Sequence, residues 1–138
     1  MHRKRMRLEN YDYSSNGAYF VTICACDRAA RFREDEKAII VRELNALPRR
    51  FSGVTIDTHA IMPDHLHVIF LFVECNWSLP RVVQAFKSLS TAGIKEHSPR
   101  WRVWQRGYYD RIIRNDQKLA ALREYIVNNP IAADLNRS

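Results

Sequence analysis

Apolar residues fall along this chain in two rhythms, and the switches between them lay out the elements. Ala18-Tyr19-Phe20-Val21-Thr22-Ile23-Cys24 is dense in aromatic and β-branched side chains and follows the turn-rich Tyr11–Gly17 approach, which predicts a first strand. From Glu34 to Arg50 the spacing becomes helical, with Ala38, Ile39, Val41, Leu44 and Leu47 on one stripe and Pro48 marking the close. Ser52-Gly53 reads as a turn into a second strand, Val54–Ile61. Met62-Pro63-Asp64 then leaves room only for a tight link to a third strand, His65–Val73, so these two strands should pair antiparallel.

A second helix is predicted with Ser78 as its N-cap, Pro80 in its first turn, and Val82, Val83, Phe86, Leu89 and Ile94 as its apolar stripe to about Glu96. Pro99 lies beyond it. Trp101–Gln105 and Tyr108–Ile113 resemble a strand region around an interruption at Gly107. Asn115 or Asp116 then caps a third helix carrying Leu119, Leu122 and Ile126, expected to loosen at Asn129 because Pro130 follows. The order is β-α-β-β-α-β with an added C-terminal helix, the α+β ferredoxin-like split βαβ arrangement. One domain over residues 1–138, with a basic arm at 1–16, suits a chain of this length.

Composition narrows the class. Apolar runs are short and broken by charge, so none reaches the ~20 residues of a membrane span. Met1–Arg7 is basic without a following apolar stretch, so a cytoplasmic protein is expected. The three cysteines, Cys24, Cys26 and Cys75, are an odd count without the paired spacing of a zinc site, and read as reduced thiols. None of the four glycines opens a phosphate-binding loop.

Charge changes the picture more. Lys and Arg number 22 against 15 Asp and Glu, a net +7, and arginine supplies most of the excess. Its planar fork matches phosphate oxygens, which favours a nucleic-acid partner. Trp101, Trp104, Tyr108 and Tyr109 alternate with Arg100, Arg102, Arg106, Arg111 and Arg114, the composition of a surface that stacks bases and tracks a backbone. Trp104 and one tyrosine are expected inside, with several arginines outside.

The most specific chemistry lies at the start of the third strand. His65 and His67 are two apart, so they share a face while Leu66 and Val68 take the other. Two imidazoles on one face suit a metal ion, although paired strand histidines often bind nothing and a third ligand must come from elsewhere. Tyr125-Ile126-Val127-Asn128-Asn129-Pro130 offers one, since Tyr125 and Asn129 sit one helical turn apart. Packing for the tyrosine and a helix stop for the asparagine are the plainer readings.

Five segments, in order, lift these residues out of ambiguity: Gly17–Thr22, Ile61-Met62-Pro63-Asp64-His65-Leu66-His67, Phe86-Lys87-Ser88, Trp104–Arg114 and Tyr125–Pro130. Together they resemble the single-tyrosine HUH transposases, of the kind associated with repetitive extragenic palindromes. The resemblance implies that His65 and His67 hold Mg²⁺ or Mn²⁺. Asn129 would complete the site where related insertion-sequence transposases often carry Gln, with Asp64 or water as other candidates.

It further implies that Tyr125 is a nucleophile that cleaves and rejoins single-stranded DNA at repeat hairpins through a 5′-phosphotyrosine. Lys87 would face DNA together with Trp101, Arg102, Arg106, Arg111 and Arg114. Three alternatives remain: a replication-initiator nickase, a binding protein that has lost catalysis, and a metal hydrolase drawing on Asp57 or Asp110. A monomer and a homodimer are equally compatible with the chain.

Overall fold

The computed structural model describes residues 16–27, 31–98, 100 and 102–137, with residues 129–137 described through their backbone alone. The basic arm before Asn16 and the aromatic Trp101 lie outside the described residues. The elements are β1 (Gly17–Cys24), α1 (Glu34–Arg50), β2 (Val54–Ile61), β3 (His65–Phe72), α2 (Leu79–Lys95), β4 (Tyr109–Ile113) and α3 (Asp116–Arg137). Their order in the sheet is β2-β3-β1-β4, every neighbouring pair antiparallel. This is the ferredoxin-like sheet expected from the pattern, with the tyrosine helix added.

Strand alternation divides the chain into two apolar sets. Tyr19, Val21 and Ile23 of β1 and Leu66, Val68, Phe70 and Phe72 of β3 point to one face, where α1 and α2 bring Ile40, Leu44, Val82, Val83 and Phe86. Most of these side chains are fully buried. Burying one such aliphatic or aromatic group contributes ~1.5–3 kcal/mol, so this layer carries most of the stability. The two helices meet closely at Gly93, where a Cβ would stand 2.8 Å from Ile39 Cγ2 and 2.7 Å from an Arg42 nitrogen.

The other face is covered by α3. Phe20, Ala60, Ile69 and Ile113 rise from the sheet to meet Ile126, with Leu119 and Leu122 packed beside them. Asn115 caps this helix, its Oδ1 accepting from Lys118 N at 2.8 Å.

Three expectations change in detail. The chain before Gly107 forms no strand: Trp104 makes an isolated bridge to Ala25, and β4 starts only at Tyr109, after Gly107 turns the backbone with φ +78°. Pro48 lies inside α1, whose end is instead set by Phe51 N donating to Leu47 O at 2.8 Å. Finally, α3 does not end before Pro130 but continues to Arg137. A proline removes one bond to the preceding turn without forbidding the turns on either side. No helix among the described residues is long and apolar enough to cross a membrane.

Candidate active site

The turn that delivers the histidines is braced from outside its own hairpin. Met62 N donates to His65 O (2.7 Å), closing the turn, while Ala25 N donates to Asp64 O and Phe32 N to Pro63 O, each at 2.9 Å. The segment leaving β1 therefore holds the Met-Pro-Asp corner in place, and β3 begins with His65 already aimed.

In the ladder Cys24 stands opposite His65 and Thr22 opposite His67, so both histidines rise on the face that α3 covers. Their Nε2 atoms converge to 3.2 Å. Each ring is held from behind through Nδ1. His65 Nδ1–H donates to Asp64 Oδ1 at 2.8 Å, and His67 Nδ1 is hydrogen bonded to Thr22 Oγ1 at 3.0 Å.

Burial, and then the neighbouring His65, push the His67 pKa down from 6.5 to about 4, so its ring is neutral near pH 7. A neutral His67 ring and two converging Nε2 atoms, with both Nδ1 positions hydrogen bonded from behind, form an arrangement suited to a metal ion. Asp64 is on the far side of the His65 ring, where it orients the histidine instead of reaching an ion between the two Nε2 atoms. Among the described residues no group of three His, Cys, Asp or Glu side chains could hold a metal ion. The side chain of Asn129, the expected third ligand, lies outside the described residues.

Tyr125 reaches the same place from α3. The next residue, Ile126, is buried against the sheet while Tyr125 stays half exposed, with its ring 5.8 Å from that of His67 and 6.3 Å from that of Phe20. Phe20 stacks on His67 at 5.3 Å, and the Arg111 guanidinium lies over the Phe20 ring, 5.9 Å from its centroid. The nucleophile candidate, His67 and one arginine thus all meet a single phenylalanine. Alternation along β1 puts Phe20 and Thr22 on one face, but their pairing with His67 depends on a register that β1 alone does not disclose.

The remaining basic candidates divide. Arg102 and Arg106 are exposed and line a cleft of about 720 Å³ with Lys87, Ser88, Thr91, Lys95 and Gln105. Lys87 is also structural, since its Nζ donates to the Gln105 and Gly107 carbonyls at 2.7 and 2.6 Å and so ties α2 to the segment before β4. Arg114 is exposed just after β4. Arg100 turns inward, its Nε donating to the buried Glu36 Oε2 at 2.6 Å. Trp104 is buried, with Nε1 donating to Ser90 Oγ at 2.9 Å.

Neither acid considered for a hydrolase joins the histidines. Asp110 pairs opposite Val21, which faces the α1/α2 layer, and Asp57 is engaged by Arg123.

Comparison with known proteins converges on one kind. Residues 13–129 match the family model described as Transposase IS200 like. An uncharacterised Haemophilus influenzae protein is 33% identical, covering 94% of this chain and 89% of its own. A second protein from that bacterium, carrying the provisional name REP-associated tyrosine transposase, is 25% identical over 90% of this chain and 77% of its own.

Among solved structures, a REP-associated tyrosine transposase bound to a REP hairpin superposes with a TM-score of 0.77 at 19% identity, covering 93% of this chain and 74% of that one. A Deinococcus radiodurans protein provisionally described as a transposase gives 0.60 at 18% identity, over 90% of this chain and 97% of that one.

Proposed function

Because the chain belongs to the IS200-like transposase family, we propose that it is a metal-dependent DNA strand transferase that cuts and rejoins single strands at repeat-derived hairpins. The observation that carries this reading is the meeting of Tyr125 and His67 ring to ring, at 5.8 Å, within one chain. A tyrosine half open to solvent beside two converging imidazoles braced from behind suits attack on a phosphate.

In the reaction Tyr125 Oη forms a bond to a backbone phosphorus and gives up its phenolic proton. The bond from phosphorus to the 3′ oxygen breaks, and that oxygen leaves as a hydroxyl. The resulting phosphotyrosine diester keeps the energy of the broken linkage, so a 3′-hydroxyl can reverse the step without a nucleotide cofactor.

His65 and His67 would hold Mg²⁺ or Mn²⁺ through Nε2, and Asn129 is the side chain proposed to complete the set. When bound, the ion polarises a non-bridging phosphate oxygen. Asp64 and Thr22 keep the two rings facing the ion. Phe20 fills the floor between His67 and Tyr125, and Arg111 above it supplies positive charge for a strand phosphate. Arg102, Arg106 and Lys87 of the cleft, with Arg114 and Trp101, are proposed to bind the hairpin and its flanks.

Incubating the protein with Mg²⁺ or Mn²⁺ and labelled single-stranded oligonucleotides that fold into repeat hairpins, then resolving the products on a denaturing protein gel, tests this directly. The wild type is expected to carry a shifted covalent band that chelator removes and that Tyr125→Phe does not form. Tight, salt-sensitive binding without an adduct on any hairpin would point to a binding protein that has lost catalysis.

A further inference from the structure

Over its described side chains, up to Asn128, the helix that carries Tyr125 is lightly held by apolar contacts. Among the described side chains of α3, Ile126 alone is buried, and Leu119 and Leu122 are only partly covered. A seam this narrow resists sliding of the helix and leaves its roll about its own axis weakly determined. Reaction distances tolerate little of either motion.

A second attachment lies two residues before the tyrosine. The β2–β3 ladder runs from Ile56 opposite Phe70 to Thr58 opposite Ile69, so Asp57 is an extra residue without a partner in the ladder. Such a bulge re-aims a side chain. Here the carboxylate meets the guanidinium of Arg123, with Nε donating to Oδ2 at 2.8 Å and Nη2 to Oδ1 at 2.7 Å. Thr58 Oγ1 donates to Asp57 Oδ2 at 2.7 Å and fixes the acceptor. The Asp57 side chain is 12% exposed, so only the arginine end of the pair is well hydrated.

The two-pronged geometry matters more than the charge. A single contact lets a helix pivot, whereas a planar fork seated on a planar carboxylate defines an orientation as well as a distance. Arg123 and Ile126 are three apart and so share the sheet-facing side of α3, and Tyr125 lies between them in sequence.

We propose that Arg123, through Asp57, is a positioning residue for the strand-transfer reaction: the fork sets the roll of α3 so that Tyr125 meets the phosphate held at the histidine pair of its own chain. This rests on the reading of Tyr125 as the nucleophile. A side chain misplaced by about 1 Å can cost on the order of a hundredfold in rate. With the arginine end of the pair in water, the fork contributes only modestly to global stability. Loss of the fork therefore acts on the chemical step while folding is preserved.

The test compares single-turnover adduct formation, equilibrium binding of the same hairpin oligonucleotide in calcium, and thermal melting across five proteins. These are the wild type, Arg123→Gln, Asp57→Ala, Arg123→Lys, and the exchanged pair Asp57→Arg with Arg123→Asp. Arg123→Gln and Asp57→Ala are expected to slow the adduct by about tenfold to a hundredfold with binding and melting unchanged. Lysine, a point charge without the fork, should restore only part of the rate, and the exchanged pair should recover more than either single change.

An Arg123→Gln protein at full rate overturns the proposal. So does a slow Arg123→Gln beside a full-rate Asp57→Ala, because Arg123 would then act on DNA itself, and so does a rate loss matched by weaker binding or a lower melting temperature. An adduct missing from the wild type, by contrast, removes the nucleophile reading itself and the positioning role with it.

Discussion

The two faces of the sheet are built on opposite principles. Toward α1 and α2, residues such as Tyr19, Val21, Phe70 and Phe86 are sealed to near-zero exposure in one continuous cluster. Toward α3 the apolar contacts among the described residues form a short seam, and the space beside it is given to Thr22, His65, His67 and a half-exposed Tyr125. The same strands furnish both, since each alternates between them residue by residue. One face thus carries the stability that lets the other keep a neutral His67, an open hydroxyl and a bulged strand.

This division can be broken from either side. The largest effect on folding should come from the sealed face: Phe86→Ala, a fully buried ring beside Trp104, is expected to cost about 3–5 kcal/mol in denaturant unfolding. Tyr125→Phe on the open face should leave the same unfolding curve in place while eliminating the covalent adduct. A comparable drop in stability for both variants would mean that the two faces share their load.

Acid should act on the open face first. His67 is held near pKa 4 by burial and by His65, below the ordinary 6.5 that it regains on unfolding. Between those values the unfolded chain binds the extra proton, so this group's contribution to the stability of the metal-free protein is lost as pH drops from about 6.5 toward 4. The shift corresponds to an upper limit of about 3 kcal/mol from this group. Urea titrations across that range should show the slope for the wild type, and His67→Phe should flatten it. An unchanged slope would assign the acid sensitivity to other groups.

The smallest expected effect is the most local. Thr22→Val keeps the shape of the side chain while removing the hydroxyl behind His67 Nδ1. Metal affinity, measured by Mn²⁺ titration, should weaken by about tenfold and melting should hardly move. If affinity is unchanged, the ring is oriented by its stacking on Phe20 alone.

Much of this was legible in the chain. Strand and helix boundaries followed from the change of period, because burying one stripe of a helix or one side of a strand leaves its imprint directly in the order of residues. His65-x-His67 announced a shared face, and Tyr125 its helix, for the same reason. Asn129 was also named from the chain, but its side chain lies outside the described residues. The sequence was misleading where local signals compete with the rest of the molecule. Arg100 looked like part of a DNA surface yet answers the buried Glu36 of α1, and Pro130 looked like a stop within a helix that continues.

What the sequence determined by itself was therefore the inventory and its local geometry: which elements form, which residues share a face, and the net positive charge. Tertiary structure alone decided which elements meet. Thr22 backs His67 because β1 and β3 pair in one register, and Lys87 is partly withdrawn from solvent because two carbonyls 18 and 20 residues further along fold back over it. Arg123 finds Asp57 across 66 residues because β2 bulges at that position. Contacts at such separations arise when the chain packs as a whole, and neither partner's neighbours in sequence carry a mark of the other.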